Sequence, residues 1–351
     1  MKRTIRFTGM LAVIFLMVIS CSKQKLEEPV ISADFDQTIF HLANSYMSAL
    51  PDLDIEQLSA EEKKLVELGK KLFYEKNLSG SRTISCASCH DIMKYGVDNK
   101  ALSPGDKNQI GLRNSQTVLN TFLYGEQNWD TKFKSVEDQV MGPIFSELEM
   151  AMSGPDELIS RLSADPFYQK AFAEVFPEDN PSINMDNIKK AIGSFERTLL
   201  TPSRFDEYLK GDLDALTTTE KLGVHSFVIN CKSCHSSALV GAGFAVEYPI
   251  FGHHEDYSDS NRDDLGRYDV TKDPEDKRVF KVPQLRNVEK TFPYMHDGSV
   301  KTLEDAIQVC SMAESNYRLS EKDVSYIAAF LRTLTGKIPE HALEQNPTFR
   351  Q

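Results

Sequence analysis

The sequence predicts an all-α chain built from two tandem units. Three features carry this: a five-residue motif that occurs twice, a helix-start pattern ahead of each copy, and helical periodicity through much of the stretch between them. The motif is Cys86-Ala87-Ser88-Cys89-His90, repeated 145 positions later as Cys231-Lys232-Ser233-Cys234-His235. Before the first copy, Ser59-Ala60-Glu61-Glu62 matches a capping box, and Leu65, Leu68, Leu72 and Phe73 follow at helical spacing. Before the second, Thr217-Thr218-Thr219-Glu220 leads to Leu222, Val224 and Phe227. Even Leu68-Gly69 with Phe73 returns as Leu222-Gly223 with Phe227, so the two stretches are copies of one unit. Residues Tyr74 to Ser85 lengthen the first approach.

The motif carries a specific chemistry. Two thiols separated by two residues can each form a thioether to a haem vinyl group, and the histidine that follows is placed to ligate the iron. A lone pair of cysteines is ambiguous between zinc, disulfide and haem, but two pairs each followed at once by histidine are not. Cys86, Cys89 and His90 thus hold one covalently bound haem c, and Cys231, Cys234 and His235 a second. The fold class becomes two tandem cytochrome c-like haem domains with long connecting loops, which suits a chain of 351 residues.

Residues 1–20 read as an export signal, with Lys2, Arg3 and Arg6 before the apolar run Leu11 to Ile19, which is too short to span a bilayer. Val18-Ile19-Ser20-Cys21 resembles a bacterial lipobox, predicting a lipoprotein signal peptide and a lipid anchor on Cys21. Of six cysteines, one goes to lipid and four to haem, leaving Cys310 and no structural disulfide. Export and covalent haem agree on the periplasm, with attachment to a bacterial membrane. Losing the signal takes the net charge from -12 to about -15, which argues against a nucleic-acid partner. Such a field could steer a basic redox partner, though a solvated acidic surface is the simpler and preferred account.

Residues 21–50 read as a tether leading into a helix, with the amphipathic patch Phe35, Ile39, Phe40 and Leu42; His41 there is a surface or packing residue. The first haem domain spans 51–200. Helical spacing recurs over Asp156 to Leu162, Pro166 to Phe176 and Ile183 to Leu200, with Pro177 and Pro181 as breakers. Turn chemistry at Thr201-Pro202-Ser203 marks the boundary. The second haem domain spans 201–340, and 341–351 is a tail. Ser236 to Lys277 is long and poorly periodic, the mark of a functional loop or one wrapped round a cofactor. An amphipathic helix over Ser320 to Leu334 closes the second domain.

A haem held by one histidine is decided by its sixth position: open for peroxide or oxygen chemistry, filled by Met or His for electron transfer. No histidine lies between His90 and His225, so the first haem is expected to have an open distal face. From about Leu58 to Gly336 the sequence resembles the bacterial di-haem cytochrome c peroxidases, with the di-haem enzyme that forms tryptophylquinone in methylamine dehydrogenase as a cousin. Besides the haem motifs, the resemblance rests on segments in the family's order. These are Asn114 to Asn120, Trp129-Asp130, Gln139 with Met141-Gly142-Pro143-Ile144, Glu149-Met150, Phe195 to Leu199, Phe280 to Val288, and Pro293 to Gly298.

The resemblance implies an enzyme that reduces hydrogen peroxide to water, taking electrons from a small cytochrome c or cupredoxin at the C-terminal haem and passing them to the N-terminal one. His90 is then the proximal ligand of the peroxidatic haem and His235 that of the electron-transfer haem. Glu149 matches the distal glutamate, with Gln139 beside it, and Trp129 the bridge between haems. Asn114, Thr291 and Pro293 match positions whose backbone carbonyls hold calcium, and a homodimer is the family's common state. Two departures stand out. Where many members carry a histidine that blocks the first haem, counting gives Asp106, implying no need for reductive activation. Where the family places a methionine on the second haem and the cousin a tyrosine, counting gives Cys310. Met312, two positions on, is favoured for its higher potential, with Cys310 the alternative and Met295 a weaker one. His296 is expected to hydrogen-bond near the haem, and His253 and His254 to be loop residues. The competing readings are an oxidase of the tryptophylquinone-forming type and a non-catalytic di-haem electron carrier.

Overall fold

The computed structural model describes residues 29–241, 243–258 and 262–343. The signal peptide, Cys21 and residues 344–351 of the tail lie outside them. The described chain is helical apart from a two-stranded antiparallel ribbon, β1 (Ala245–Glu247) and β2 (Val279–Lys281), which sets Val246 opposite Phe280 inside the long loop.

Helix α1 (Ala33–Tyr46) holds the amphipathic patch of the stretch read as a tether leading into a helix. Its Ile39 and Ala43 are fully buried in one core with Phe205, Tyr208, Val224 and Phe227 of the second unit. The apolar patch seen in the sequence is therefore a packing face.

Helix α2 (Ala60–Phe73) starts where its capping box requires: Ser59 Oγ accepts the Glu62 N–H at 3.2 Å, and the Glu62 carboxylate accepts the Ser59 N–H at 2.8 Å. Helices α3 (Pro155–Ser163), α4 (Pro166–Val175) and α5 (Met185–Glu196) follow, close to the ranges the periodicity predicts. After α6 (Arg204–Leu209) comes α7 (Thr218–Cys231), again opened by a capping box, from Thr217 and Glu220. Helices α8 (Leu303–Ser315) and α9 (Glu321–Thr333) complete the set.

The repeat has a packing cause. Helix α2 crosses α5 at Gly69, where a Cβ would stand 1.8 Å from the Ala191 carbonyl oxygen; α7 crosses α9 at Gly223, where it would stand 2.1 Å from that of Tyr326. Only a residue without a Cβ allows such approach. One turn further on, Phe73 meets Phe195 with ring centroids 5.3 Å apart, and Phe227 meets Phe330 at 4.9 Å. Each unit is thus framed by one Gly-and-Phe helix crossing.

The duplication extends to Asn120 and Asn287, both left-handed at φ 63°, a conformation asparagine tolerates. The boundary residue Thr201 joins them: its Oγ1 accepts from the side-chain amides of Asn120 at 2.9 Å and Asn287 at 2.8 Å. Nearby, fully buried Arg286 donates to Asp206 at 2.7 Å and to the Ala238 carbonyl at 2.8 Å. The start of the tail returns to the first unit, where Tyr74 Oη donates to the Ala342 carbonyl and Ala342 is buried.

Candidate haem sites and the junction between them

The two motifs occupy equivalent places. Cys86–Cys89 is a one-turn helix ending at His90, and Cys231 is the last residue of α7. Each histidine turns Nδ1 to a backbone carbonyl further along its loop, His90 to Gly96 at 3.2 Å and His235 to Val240 at 3.3 Å. A proton held on Nδ1 leaves Nε2 with a free lone pair, the form a metal takes. Burial lowers both pKa values, that of His235 to about 4, so both rings are neutral.

These residues fit the haem that the motif implies. At the second site a cavity of about 390 Å³ has Cys231, Cys234 and His235 on one wall and Phe227, Leu285, Val288, Leu303, Ile307 and Leu331 around it. At the first, Cys86 and Ala87 pack against a cluster containing Val66, Phe73, Ile92, Val118, Leu119 and Phe195. An apolar cradle with two thiols and one oriented imidazole suits a covalently held macrocycle.

The walls opposite the histidines differ. At the second site the wall is α8, and Cys310 lines the cavity while Met312 does not. At 3.6 residues per turn, two positions on a helix differ by about 200°, so Cys310 and Met312 lie on different faces of α8. Burial, then Glu314 and Cys234, push the Cys310 thiol up to about 12. Met295 also lines the cavity, its sulfur accepting from Tyr248 Oη at 3.5 Å.

Near the first motif, Glu149 is felt electrostatically at Cys89. Its backbone is fixed from two sides: the Glu149 carbonyl accepts the Asp106 N–H at 2.5 Å, and the Met150 carbonyl accepts the Gly80 N–H at 2.7 Å. Gly80 and Gly105 permit this, since a Cβ on either would stand 2.4 or 2.0 Å from a carbonyl oxygen of the Glu149 segment. Glu149 is an exposed residue, while neighbouring protein crowds its carboxyl. That crowding raises its pKa, against a lowering pull from Ser146 and Lys132. Burial, Asp98 and also Glu149 push the Cys89 thiol up to about 11, so the Glu149 charge reaches the first haem motif. Asp106, where a histidine could have blocked the haem, is buried and its carboxylate accepts from the Ser81 backbone and hydroxyl. Gln139 ends a one-turn helix (Val136–Gln139) upstream, half-buried.

Trp129 stands at the junction. Its sequence belongs to the first unit, yet it lines the second cavity; its indole N–H donates to the Asn114 carbonyl at 2.9 Å, and its ring meets His296 at 6.4 Å, nearly edge-on. Asn114, Thr291 and Pro293 line this same cavity; the Asn114 carbonyl gives one lone pair to Trp129 and keeps the other. Arg113 ties the junction further, forking onto Asp264 and reaching Asp130 at 2.6 Å.

Several residues at these sites escaped the sequence reading. Lys281 and Glu314 both line the second cavity; burial brings Lys281 down to about 7, and burial with Glu247 brings Glu314 up to about 7. His254, read as a loop residue, is one, but its Nε2 lies 3.1 Å from Asp297. Helix α8 was legible, since Leu303, Ala306, Ile307 and Cys310 fall at three and four spacing, and the count of candidate ligands obscured it.

Fold and motifs together define a two-haem c-type cytochrome. A family model described as di-haem cytochrome c peroxidase matches residues 63–214. The cytochrome c551 peroxidase of Nitrosomonas europaea is 40% identical over 296 residues, covering 84% of this chain and 86% of its own length. That of Pseudomonas aeruginosa is 40% identical over 275 residues, 78% of this chain and 79% of its own. A solved MauG-like protein associated with microbial copper homeostasis superposes with a TM-score of 0.71 at 28% identity, covering 84% of this chain and 95% of that one. The chain belongs to the di-haem cytochrome c peroxidase family.

Proposed function

We propose that this protein reduces hydrogen peroxide to water at its first haem site, with electrons from a small cytochrome c or cupredoxin received at the second. The observation that carries this is Glu149, clamped by the Gly80 and Asp106 loops and felt electrostatically at Cys89. Bound through Cys86, Cys89 and His90, haem supplies the redox iron that peroxide reduction requires. Glu149 supplies what the macrocycle lacks. Its carboxylate takes the proton from the near oxygen of peroxide and gives it to the departing one, which leaves as water. Two electrons and two protons convert each peroxide to two waters. Crowding of the Glu149 carboxyl brings its pKa nearer the working range of a proton shuttle. Gln139 is a second polar group for this pocket.

Trp129 offers a polarizable indole between the two sites, oriented by Asn114. Asp106, already bonded to Ser81, leaves the first distal face without a blocking ligand, so turnover begins without prior half-reduction. At the second site Cys310, which lines the same cavity as His235, serves as the sulfur ligand in this reading. Asn114, Thr291 and Pro293 offer hard oxygens for one calcium ion at the junction. We also place the protein in the periplasm as a homodimer, tethered to the membrane by lipid on Cys21; no helix among the described residues is long and apolar enough to cross one. The tryptophylquinone-forming alternative is disfavoured because the counted position holds Cys310 rather than tyrosine. An electron carrier gains nothing from a carboxyl beside an open iron.

The test is steady-state peroxide reduction with a reduced cytochrome donor, with and without prior half-reduction, beside Glu149→Ala. Turnover from the fully oxidised protein, lost in the variant, is expected. Absence of turnover in either state would end the peroxidase reading.

A further inference from the structure

Beside Trp129, outside both haem motifs, three donors from two separate segments converge. His254 comes from the long loop, and His296 and Asp297 from the segment before α8. The ring nitrogens and a carboxylate oxygen all lie within 4.8 Å of one another. His254 Nε2 is 3.1 Å from Asp297 Oδ2, and the two imidazoles are 5.1 Å apart between centroids. Around a tetrahedral zinc ion donor atoms stand about 3.4 Å apart, given bond lengths near 2.1 Å, so small side-chain rotations would close the set.

The surroundings are those of held ligands. Phe280 stacks on His296 with centroids 4.3 Å apart and planes 19° from parallel, fixing that ring. The Ser299 N–H donates to Asp297 Oδ1 at 3.0 Å and the Ser258 hydroxyl to Oδ2, orienting the carboxylate from behind. His296 is 5% exposed, so the donors meet at the edge of a buried wall, while His254 is reached from the loop. The nearby Arg113 charge, which weighs against a proton on His296, is met by Asp130 and Asp264, and Asp264 and Asp297 pull the other way.

We propose that His254, His296 and Asp297 form a binding site for a divalent transition-metal ion at the junction of the two haem units. Two imidazoles and one carboxylate select a borderline ion of the zinc or copper(II) class over calcium, which takes oxygen. Three protein ligands leave a fourth position for water. The bound ion would pin the His254 loop to the wall that meets Trp129.

The test uses the haem-loaded, chelator-treated protein in excess calcium, which fills oxygen-only sites, titrated calorimetrically with zinc chloride. One zinc per chain is expected, with X-ray absorption at the zinc edge showing two imidazole nitrogens and one carboxylate oxygen. His254→Ala and, separately, Asp297→Asn should each weaken binding roughly tenfold or more. His253→Ala, one residue away, should leave binding within about twofold of the parent. Unaltered haem spectra will show that the variants are folded. No saturable binding at millimolar zinc, equal effects of His253→Ala and His254→Ala, or fewer than two imidazoles at the metal would each overturn the site.

Discussion

Replacing Glu149 by Gln keeps the size of the side chain and its capacity to accept a hydrogen bond, and removes its charge and its ability to exchange a proton. The backbone should not move, since the peptides at Glu149 and Met150 are held by Asp106 and Gly80 at 2.5 and 2.7 Å. General acid–base catalysis by a placed group contributes about 10²- to 10⁴-fold, and the contribution is greatest when the group's pKa is near the working pH. Burial raises the Glu149 pKa toward that range, so a loss near the middle, about 10³-fold in kcat/KM for peroxide or about 4 kcal/mol, is expected. The shuttle starts as the ionised base. Activity of the parent should therefore fall as pH drops through the raised pKa, on an acid limb lying above the ordinary value of 4.5. In Glu149→Gln that limb should vanish. The assay is initial-rate peroxide reduction from pH 4 to 8 with reduced donor, at matched haem content. A variant within tenfold of the parent, or one that keeps the acid limb, would refute the assignment.

Gly69→Ala and Gly223→Ala each push a methyl group against a facing helix carbonyl. Thermal unfolding should report a net loss of about 1–2 kcal/mol apiece, overpacking outweighing the gain of replacing a helical glycine, with Gly125→Ala as a control whose Cβ meets nothing within 4 Å. Equal losses at all three positions would show that the crossings are not tight. Arg286→Met strands the buried Asp206 carboxylate and should cost about 3–5 kcal/mol by denaturant titration; a loss below about 1 kcal/mol would mean that water or another cation replaces the guanidinium. Cys310→Ala should alter the visible spectrum and potential of the second haem while Met312→Ala leaves them unchanged, and the reverse pattern would restore Met312.

What the sequence revealed well was whatever repeats or has a period. The capping boxes at Ser59 and Thr217, the Gly-and-Phe pairs and the two haem motifs are local, and local patterns survive without knowledge of the fold. The helix over Ala33–Tyr46 was half seen: its apolar face was plain at Phe35, Ile39 and Phe40, but nothing in the chain says that this face packs on Tyr208, more than 160 positions away. The choice between Cys310 and Met312 was not legible because counting from Gly298 assumes nothing about direction, whereas a helix over Leu303–Ser315 assigns each residue a face. The set of His254, His296 and Asp297 was invisible for the same reason: His254 lies more than 40 positions before the adjacent His296 and Asp297, in a loop without period.

The two units share a helix crossing, a haem motif, a histidine braced by a backbone carbonyl and a left-handed asparagine, so none of these can explain why they should do different chemistry. The difference lies opposite each histidine. In the first unit the facing wall is built from three loops, around Gly80, Gly105 and Glu149, which interlock through carbonyls too close for any Cβ. Such a wall can present one carboxyl at a fixed point and leave space before it, as a peroxide-binding face requires. In the second unit the facing wall is helix α8, which presents side chains every third or fourth position and fills the same place with Ile307 and Cys310. On the proposed roles, a helix would close the distal face with a soft ligand donor, and interlocked loops would keep it open with a proton carrier. If that is the origin of the division of labour, exchanging Cys310 for glycine should open the second site to small ligands such as carbon monoxide or cyanide. Ligand binding at the first site should stay unchanged. Unaltered ligand stoichiometry in Cys310→Gly would place the division elsewhere than in the facing walls.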